Sequence, residues 1–203
     1  MAVTGGFWYK GVRAAQNENI FTPFREMIAD IKPARILEMG TDRCGLCLIV
    51  RDLLDEAGMS DAGVMACDFN PDTTEIFYRD VFPMEQGKRI EYHQLNFWVD
   101  GKLNPVIVEY IQRPGPTILL CDGGDKPREF NAAAHFLKPG DIIMAHDYAP
   151  DQSYFQQYVN GKIWNWHETW DAQIQGAYTA CNLKPYMAQS FRDVVWACAR
   201  KEV

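Results

Sequence analysis

The sequence predicts an α/β protein with a doubly wound, mostly parallel sheet. Its clearest sign is a strand–helix–strand unit, in which the apolar runs Thr117–Cys121 and Asp141–Ala145 flank a segment with helical spacing. A second unit begins with a strand at 34–38, continues through a glycine-containing loop, and ends with a helix that extends to about Ala57. Repeated βα units of this kind pack as parallel sheets with right-handed crossovers.

The remaining elements follow from the same two hydrophobic periodicities. Thr22-Pro23 is typical of a helix start, with Thr22 as the N-cap and Pro23 at the first helical position. The other predicted elements are a strand at 63–68, a helix at 72–82, a strand at 88–95, a helix at 104–112, and a last strand at 194–198 with a partner around 177–183.

Length and composition limit the choices. The chain has 203 residues, of which 47% are hydrophobic, so we expect one domain with an N-terminal segment at 1–33, a core at 34–148 and a C-terminal segment at 149–203. A net charge of −7 argues against general binding to nucleic acids or anionic membranes. No run approaches the roughly 20 apolar residues of a membrane span, and no signal-peptide pattern is present, so we expect a cytoplasmic protein.

Acidic side chains follow two of the predicted strands. Asp122 comes directly after one strand and Asp147 lies just beyond the next. Neighbouring parallel strands end at the same edge of a sheet, where ligands bind in such folds. Two carboxylates held there would suit a hard divalent cation or proton transfer, because crowding them without a compensating charge is costly.

The loop after the strand at 34–38 has the composition of a ligand-binding turn. Gly40 and Gly45 would let the backbone approach a ligand, and the helix N-terminus would attract its anionic part. Asp68 could accept both hydroxyls of a ribose, or it could simply cap the turn at 70–71. Asn96, after the third strand, could bond an adenine edge or act as a turn residue without a ligand.

Taken together, these motifs resemble the class I S-adenosylmethionine-dependent methyltransferases. The residues that carry this resemblance, in order, are Glu38-Met39-Gly40-Thr41, Gly45, Asp68, Asn96, Asp122 and Lys138-Pro139-Gly140. Further motifs are similar to the metal-dependent small-molecule O-methyltransferases, especially the branch of cephalosporin hydroxylase-like, rhamnosyl and macrocin O-methyltransferases. These motifs are Asp122-Gly123-Gly124, His146-Asp147-Tyr148, Trp8-x-x-Gly11, Gln16 and Lys32-Pro33.

The resemblance implies a Rossmann-like, seven-stranded sheet with an antiparallel C-terminal edge strand, and S-adenosylmethionine as cofactor. The implied cofactor-binding residues are Glu38, Gly40, Thr41, Gly45, Asp68, Phe69, Asn96 and Asp122. Asp122, Asp147 and His146 are the implied ligands of Mg²⁺ or a similar cation. The implied reaction is methyl transfer to a hydroxyl of a small sugar-like or aromatic acceptor.

Three departures from the family pattern concern the loop and the proton acceptor. Cys44 replaces a glycine of the loop, Asp125 stands where relatives commonly have a histidine, and His146 stands where they are often acidic. We rank His146 first as proton acceptor for its near-neutral pKa. Asp125, which could also be an additional metal ligand, and Lys126 follow. Alternatively, His146 is not a proton acceptor and only supports Asp147 through a hydrogen bond.

Some features of the sequence also fit functions other than methyl transfer. Cys44 and Cys47 form a C-x-x-C at a helix start, which is also where thiol–disulfide enzymes keep a low-pKa thiolate. A catalytically silent relative that binds nucleosides or sugars as an accessory protein is a second alternative. A nicotinamide dehydrogenase is disfavoured because no G-x-G-x-x-G is present.

Aromatic clusters lie at both ends of the chain. Those at 7–9 would either pack on the core or cover a ligand as a lid. Tyr154 and Tyr158, and likewise Trp166 and Trp170, are four residues apart and would each share a helix face. We expect these residues to pack in the core, to form a contact in a homo-oligomer, or to line a wall of the acceptor pocket.

Overall fold

In a computed structural model, which describes residues 5–203, a seven-stranded sheet forms the centre of the protein and helices cover both faces. The strands are β1 (Phe7–Tyr9), β2 (Val12–Ala14), β3 (Arg35–Met39), β4 (Gly63–Asp68), β5 (Ile90–Gln94), β6 (Trp98–Val99), β7 (Lys102–Leu103), β8 (Thr117–Cys121), β9 (Ile142–Ala145), β10 (Tyr148–Ala149), β11 (Thr169–Trp170), β12 (Leu183–Pro185) and β13 (Ala197–Lys201). The order in the main sheet is β12-β13-β9-β8-β3-β4-β5. The predicted fold class is confirmed.

The helices follow the predicted pattern between strands. They are α1 (Phe21–Ile31), α2 (Gly45–Glu56), α3 (Pro71–Ile76), α4 (Pro105–Gln112), α5 (Lys126–Ala134), α6 (Gln152–Tyr154), α7 (Asp171–Ala180) and α8 (Ala188–Arg192). Two π-helical turns, Phe77–Val81 and Phe155–Val159, extend α3 and α6. No helix among residues 5–203 is long and apolar enough to cross a membrane.

The central strands are in a register that brings their carboxyl ends together. Every residue of β3, β8 and β9 is buried, as expected of a parallel sheet covered on both faces. Met39 at the end of β3 is paired with Cys67 on one side and Cys121 on the other. The loops that follow β3, β4 and β8 therefore leave the sheet at the same level.

The C-terminal strands lie slightly later in the chain than predicted. The antiparallel edge is confirmed, since β13 pairs antiparallel with both β9 and β12. However, Val195 has a φ of 59° and lies in a turn after α8, which delays the start of β13 to Ala197. The predicted partner around 177–183 was wrong in its first half, because residues 177–180 are the last turn of α7.

The N-terminal segment forms a hairpin and then a helix. β1 pairs antiparallel with β2, and the rings of Phe7 and Tyr9 lie 5.7 and 5.6 Å from that of Phe21. The prediction of Thr22 as N-cap and Pro23 as the first helical residue was wrong, because α1 already begins at Phe21. A 3-10 turn at 18–20 precedes α1, and the Asn17 side chain caps it by accepting from the Asn19 N–H.

Of the two aromatic pairs predicted to share a helix face, only Tyr154 and Tyr158 do so. The rings of Tyr154 and Tyr158 lie 4.9 Å apart. Trp166 and Trp170 do not share a helix, because Trp166 lies in a coil and Trp170 ends β11. Trp166 remains half exposed.

Candidate active site

A cleft of about 310 Å³ lies at the carboxyl ends of β3, β8 and β9. Most of the residues that the sequence suggested for ligand binding line it. These residues are Glu38, Gly40, Thr41, Gly45, Asp122, Lys126, His146 and Asp147. The cleft is completed by the N-terminal hairpin on one side and by the segment at 164–168 on the other.

Gly40 and Gly45 are needed for packing between backbone segments. Gly40 has a φ of 85°, and a Cβ there would overlap the backbone of Asp122 and Gly123 in the loop after β8. A Cβ on Gly45 would overlap Arg13 and Ala14 of the N-terminal hairpin. Both glycines therefore allow the walls of the cleft to pack closely, and the close ligand approach expected from the sequence stays a prediction.

Glu38 is a buried carboxyl group with an unused hydrogen-bonding atom. It points from β3 into the cleft, and its Oε2 has no partner among the described residues. Burial raises the pKa of Glu38 well above its usual range, and the nearby charge of Asp122 adds to this effect. A buried, unpaired carboxyl group is ready to receive a cationic or N–H donor group of a ligand.

Asp68 fastens the loop that follows β3. Its Oδ2 accepts hydrogen bonds from the N–H groups of Thr41 and Asp42 at 3.0 and 3.2 Å. Its Oδ1 accepts from the N–H of Asn70 at 2.8 Å, so the capping of the turn at 70–71 is also observed. Asp68 is not among the residues that line the cleft.

Two of the implied cofactor-binding residues, Phe69 and Asn96, lie at the rim beyond β4 and β5. Phe69 is 60% exposed, and its ring packs edge-on against Phe97. The side chain of Asn96 accepts from the N–H of Trp98 at 3.0 Å, which is the turn role that the sequence left open. Neither residue lines the cleft.

The carboxyl group of Asp122 is held by the side chains of Gln16 and His146. Its Oδ2 accepts from Nε2 of Gln16 at 2.9 Å, and its Oδ1 lies 2.9 Å from Nδ1 of His146. Burial raises the pKa of the Asp122 carboxyl, and the attraction to His146 and Lys126 offsets only part of that rise.

Asp147 is fixed by its backbone and by an indole. Its φ is 52°, in the left-handed region that aspartate tolerates better than most residues, and Oδ1 accepts from Nε1 of Trp164 at 2.6 Å. Burial would raise the pKa of the Asp147 carboxyl, but His146 and Lys126 outweigh burial, so the net shift is downward. Asp147 is therefore a carboxylate.

His146 is a buried imidazole that faces both carboxylates through one nitrogen. Nδ1 lies 2.9 Å from Asp122 and 3.6 Å from Asp147. The ring packs against Trp196 at 4.6 Å and Trp164 at 5.5 Å, and its buried Nε2 has no partner within residues 5–203. Burial lowers the pKa of His146, but the two carboxylates outweigh burial and the net shift is upward.

Lys126 brings a second positive charge into the same group. Its Nζ lies 2.6 Å from Glu168, 3.1 Å from Asp147 and 3.9 Å from Asp122. Although burial opposes the charged form, the carboxylates raise the pKa of Lys126, so the ammonium is retained. Asp125 is exposed and caps α5, where its side chain accepts from the Arg128 N–H at 3.2 Å.

Three of these side chains could hold a divalent cation. Asp122, His146 and Asp147 each offer an atom that lies within 4.8 Å of the other two. Two carboxylate oxygens and an imidazole nitrogen fit a divalent metal ion, with the nitrogen favouring a transition metal more than all-oxygen sites do. The donor set therefore fits the cation that the resemblance implies.

Several residues of the cleft could not be identified from local patterns. Trp164 contacts Asp147 and Glu168 contacts Lys126 from a loop without a motif, and Arg13 lines one wall. Trp166, which the sequence offered as one possible pocket wall, also lines the cleft. Gln16 was indicated only through the family resemblance. Each reaches the site by packing between segments that are distant in sequence.

The C-x-x-C motif lacks the properties of a redox site. Cys44 and Cys47 are fully buried, and Sγ of Cys47 contacts the Cys44 carbonyl at 3.0 Å. Burial raises the pKa of the Cys47 thiol well above its usual range. A thiol–disulfide enzyme needs an accessible thiolate of low pKa, so the motif serves the core.

Neither a protein-family model nor a curated protein sequence matches the chain. Solved structures do. CmcI-N160 in its apo structure superposes with a TM-score of 0.67 at 18% identity, covering 97% of this chain and 76% of that one. The structure titled cmcI-D160 Mg-SAM gives 0.65 at 18% identity, covering 97% and 77%. TomG of Streptomyces achromogenes, an O-methyltransferase involved in tomaymycin synthesis and solved with SAM, gives 0.53 at 13% identity, covering 94% and 81%.

The chain has the class I methyltransferase fold. The resemblance indicated by the sequence motifs is thus confirmed at the level of architecture. In this methyltransferase fold the cleft lies at the carboxyl edge of the sheet, where the strand order changes direction between β3 and β8. Identities of 13–18% show the fold, and the chemistry of the site has to be argued from the residues themselves.

Proposed function

We propose that the protein transfers a methyl group from S-adenosylmethionine to a hydroxyl of a small acceptor, with the help of a divalent cation. The observation that supports this most is the meeting, in one cleft, of the unpaired Glu38 carboxyl with the Asp122–His146–Asp147 group. A sulfonium nucleoside and a cation-bound hydroxyl would then be neighbours. The architecture shared with O-methyltransferases supports the same proposal.

Glu38 and the loop after β3 would bind the cofactor. The Glu38 carboxyl would accept hydrogen bonds from the cofactor's ammonium group, which would satisfy its unpartnered Oε2. Thr41, Gly45 and Asp122 would border the methionine part. Asp68 would have to exchange its present backbone contacts for the ribose hydroxyls, and Phe69 and Asn96 would flank the adenine at the rim.

Asp122, Asp147 and His146 would hold the cation. A bound cation would lower the pKa of the acceptor hydroxyl and fix its oxygen. Holding two reacting groups in line converts a bimolecular step into an effectively unimolecular one, which is a large part of such catalysis. The rigid ends of β8 and β9 supply the fixed positions that this effect requires.

His146 is the proposed proton acceptor if it does not bind the cation itself. Its Nδ1 is paired with Asp122 at 2.9 Å, and Asp122 would stabilise the imidazolium that forms. Lys126 holds its own proton too firmly in the structure described here, and Asp125 is engaged as a helix cap. The two roles of His146 are separable, because His146→Glu would keep a ligand atom but remove the imidazole.

The acceptor would bind between the hairpin and the loop at 164–168. Trp166 offers a half-exposed aromatic surface there, while Arg13 and Glu168 offer polar groups. Aromatic surfaces beside polar side chains suit hydroxylated sugars and aromatic rings alike. A cytoplasmic location remains a prediction from the sequence.

Calorimetry and a methyl-transfer assay test the proposal together. S-adenosylmethionine should bind the wild type, and label from its methyl group should reach hydroxylated acceptors only when a divalent cation is supplied. Asp122→Asn should abolish transfer. Cofactor binding without any transfer or cation effect, across sugar and catechol acceptors, would favour the catalytically silent accessory protein instead.

A further inference from the structure

The carboxylate group of the cleft already contains a cation of its own. The Lys126 ammonium lies between Asp147 at 3.1 Å and Asp122 at 3.9 Å, and the lysine side chain is only 7% exposed. These distances put its charge beside the same two carboxylates that would ligate a divalent ion. Lys126 is thus a substitute counter-charge for the carboxylate pair.

A divalent ion and this ammonium could not share the site without strong repulsion. Charges a few ångströms apart in a largely buried site interact far more strongly than in water. His146 already offers its nitrogen to the same two carboxylates, so the pair has little uncompensated charge left for an incoming ion. Binding of the ion would require the ammonium to move away from Asp122 and Asp147.

Glu168 offers the ammonium a second position. Its carboxylate lies 2.6 Å from Nζ of Lys126 and is about half exposed, so it stands at the mouth of the cleft. The backbone N–H of Glu168 donates to the Asp147 carbonyl at 2.9 Å, which anchors the residue beside the site. Lys126 could therefore keep one ion pair while it gives up the other two.

We propose that Lys126 competes with the divalent ion for Asp122 and Asp147, and that Glu168 holds the lysine when the ion binds. The inference rests on the cation site of the proposed function and deepens it. Lys126 keeps the carboxylate pair neutralised while no ion is bound, and it weakens the affinity for the ion. Glu168 has the opposite effect, because it stabilises the displaced ammonium.

Two substitutions should therefore shift ion affinity in opposite directions. Lys126→Met removes the competing charge and should tighten Mn²⁺ binding by about tenfold or more. Glu168→Gln removes the alternative partner of Lys126 and should weaken Mn²⁺ binding several-fold. A merely structural role for Lys126 in positioning Asp147 would instead make Lys126→Met bind the ion more weakly.

The test is a titration with Mn²⁺, in which electron paramagnetic resonance reports the free ion. Lys184→Met, at an exposed strand position, is the control for an equal change in net charge and should match the wild type. Unchanged or weaker binding by Lys126→Met, tighter binding by Glu168→Gln, or no binding by any variant would overturn the inference. If Lys126→Met does not fold, the exposed Glu168→Gln still decides.

Binding of S-adenosylhomocysteine to the same samples, measured without metal, separates this inference from the proposed function. If the nucleoside binds but the Mn²⁺ pattern fails, only the role of Lys126 is wrong. If the nucleoside does not bind, the proposed function fails, and the Mn²⁺ titrations still judge the competition.

Discussion

The side chain of Gln16 donates a 2.9 Å hydrogen bond to Asp122, which lies 106 residues further along the chain. The carbonyl oxygen of the same amide accepts from the buried indole of Trp196, also at 2.9 Å. One glutamine thus connects the N-terminal segment, the end of β8 and the turn before β13. The position of the Asp122 carboxylate depends on this amide as well as on its own strand.

Gln16→Ala should weaken both the fold and the cleft. It would leave the Trp196 indole N–H buried without an acceptor, which costs about 1–3 kcal/mol of unfolding free energy. Urea denaturation measures the loss. Asn19→Ala, at an exposed neighbouring position, is the control and should change stability by about 0.5 kcal/mol or less. Equal effects of both substitutions would contradict the role of Gln16.

Gly40 and Gly124 make a matched pair for the packing of the cleft walls. Gly40→Ala would place a Cβ against the backbone of Asp122 and Gly123 at a φ of 85°, and should cost about 3 kcal/mol or more. Gly124→Ala meets open space and should leave the free energy of unfolding within about 1 kcal/mol of wild type. Thermal and urea unfolding would show whether the difference exists.

Glu38 should make the stability of the free protein fall as pH rises. Its pKa is raised in the folded state, so the folded protein binds more protons than the unfolded chain above the ordinary carboxyl pKa of about 4.3. The stability is complete below that pH and is lost progressively as pH rises toward the folded-state pKa. Glu38→Gln removes this titrating group. The melting temperature of the variant, relative to that of the wild type, should therefore increase from pH 5 to pH 8.

The same substitution should weaken S-adenosylhomocysteine binding by about tenfold or more, because a charged hydrogen bond is lost. Calorimetry at pH 8 measures it. If the variant gains stability but binds S-adenosylhomocysteine as tightly as the wild type does, Glu38 does not bind the cofactor.

The cysteines should be inert in the folded protein. All six are buried, and burial raises the pKa of the Cys47 thiol. A thiol reagent at pH 6 should label none of them before unfolding and all of them afterwards. Rapid labelling of Cys44 or Cys47 in the native state would revive the thiol–disulfide alternative.

The sheet and its acidic edge were predictable because they rest on local patterns. Apolar runs in the sequence predict the buried strands. Because β8 and β9 are parallel neighbours, Asp122 and Asp147 then lie at the same edge of the sheet. Trp164 and Glu168 were not predictable, since a coil segment brings them to the carboxylates without any local periodicity. The strand predicted at 194–198 failed at its start because a left-handed Val195 has no signature in the sequence.

The glycines show a different limit. Their positions were correctly taken as special, but the packing against neighbouring backbone was not foreseen, since a sequence does not show which segment passes beside Gly40 or Gly45. In the same way, the contact of Lys126 with Glu168 depends on a loop that folds back from beyond β10.

A crystal structure with S-adenosylhomocysteine soaked in at saturating concentration tests the central claim most directly. We expect the ammonium group of the ligand's amino-acid part to lie at Oε2 of Glu38. We expect its sulfur to face the Asp122–Asp147 pair. Nucleoside density in another cavity, or a cleft that stays empty at saturation, would contradict the account of this cleft as the methyl-transfer site.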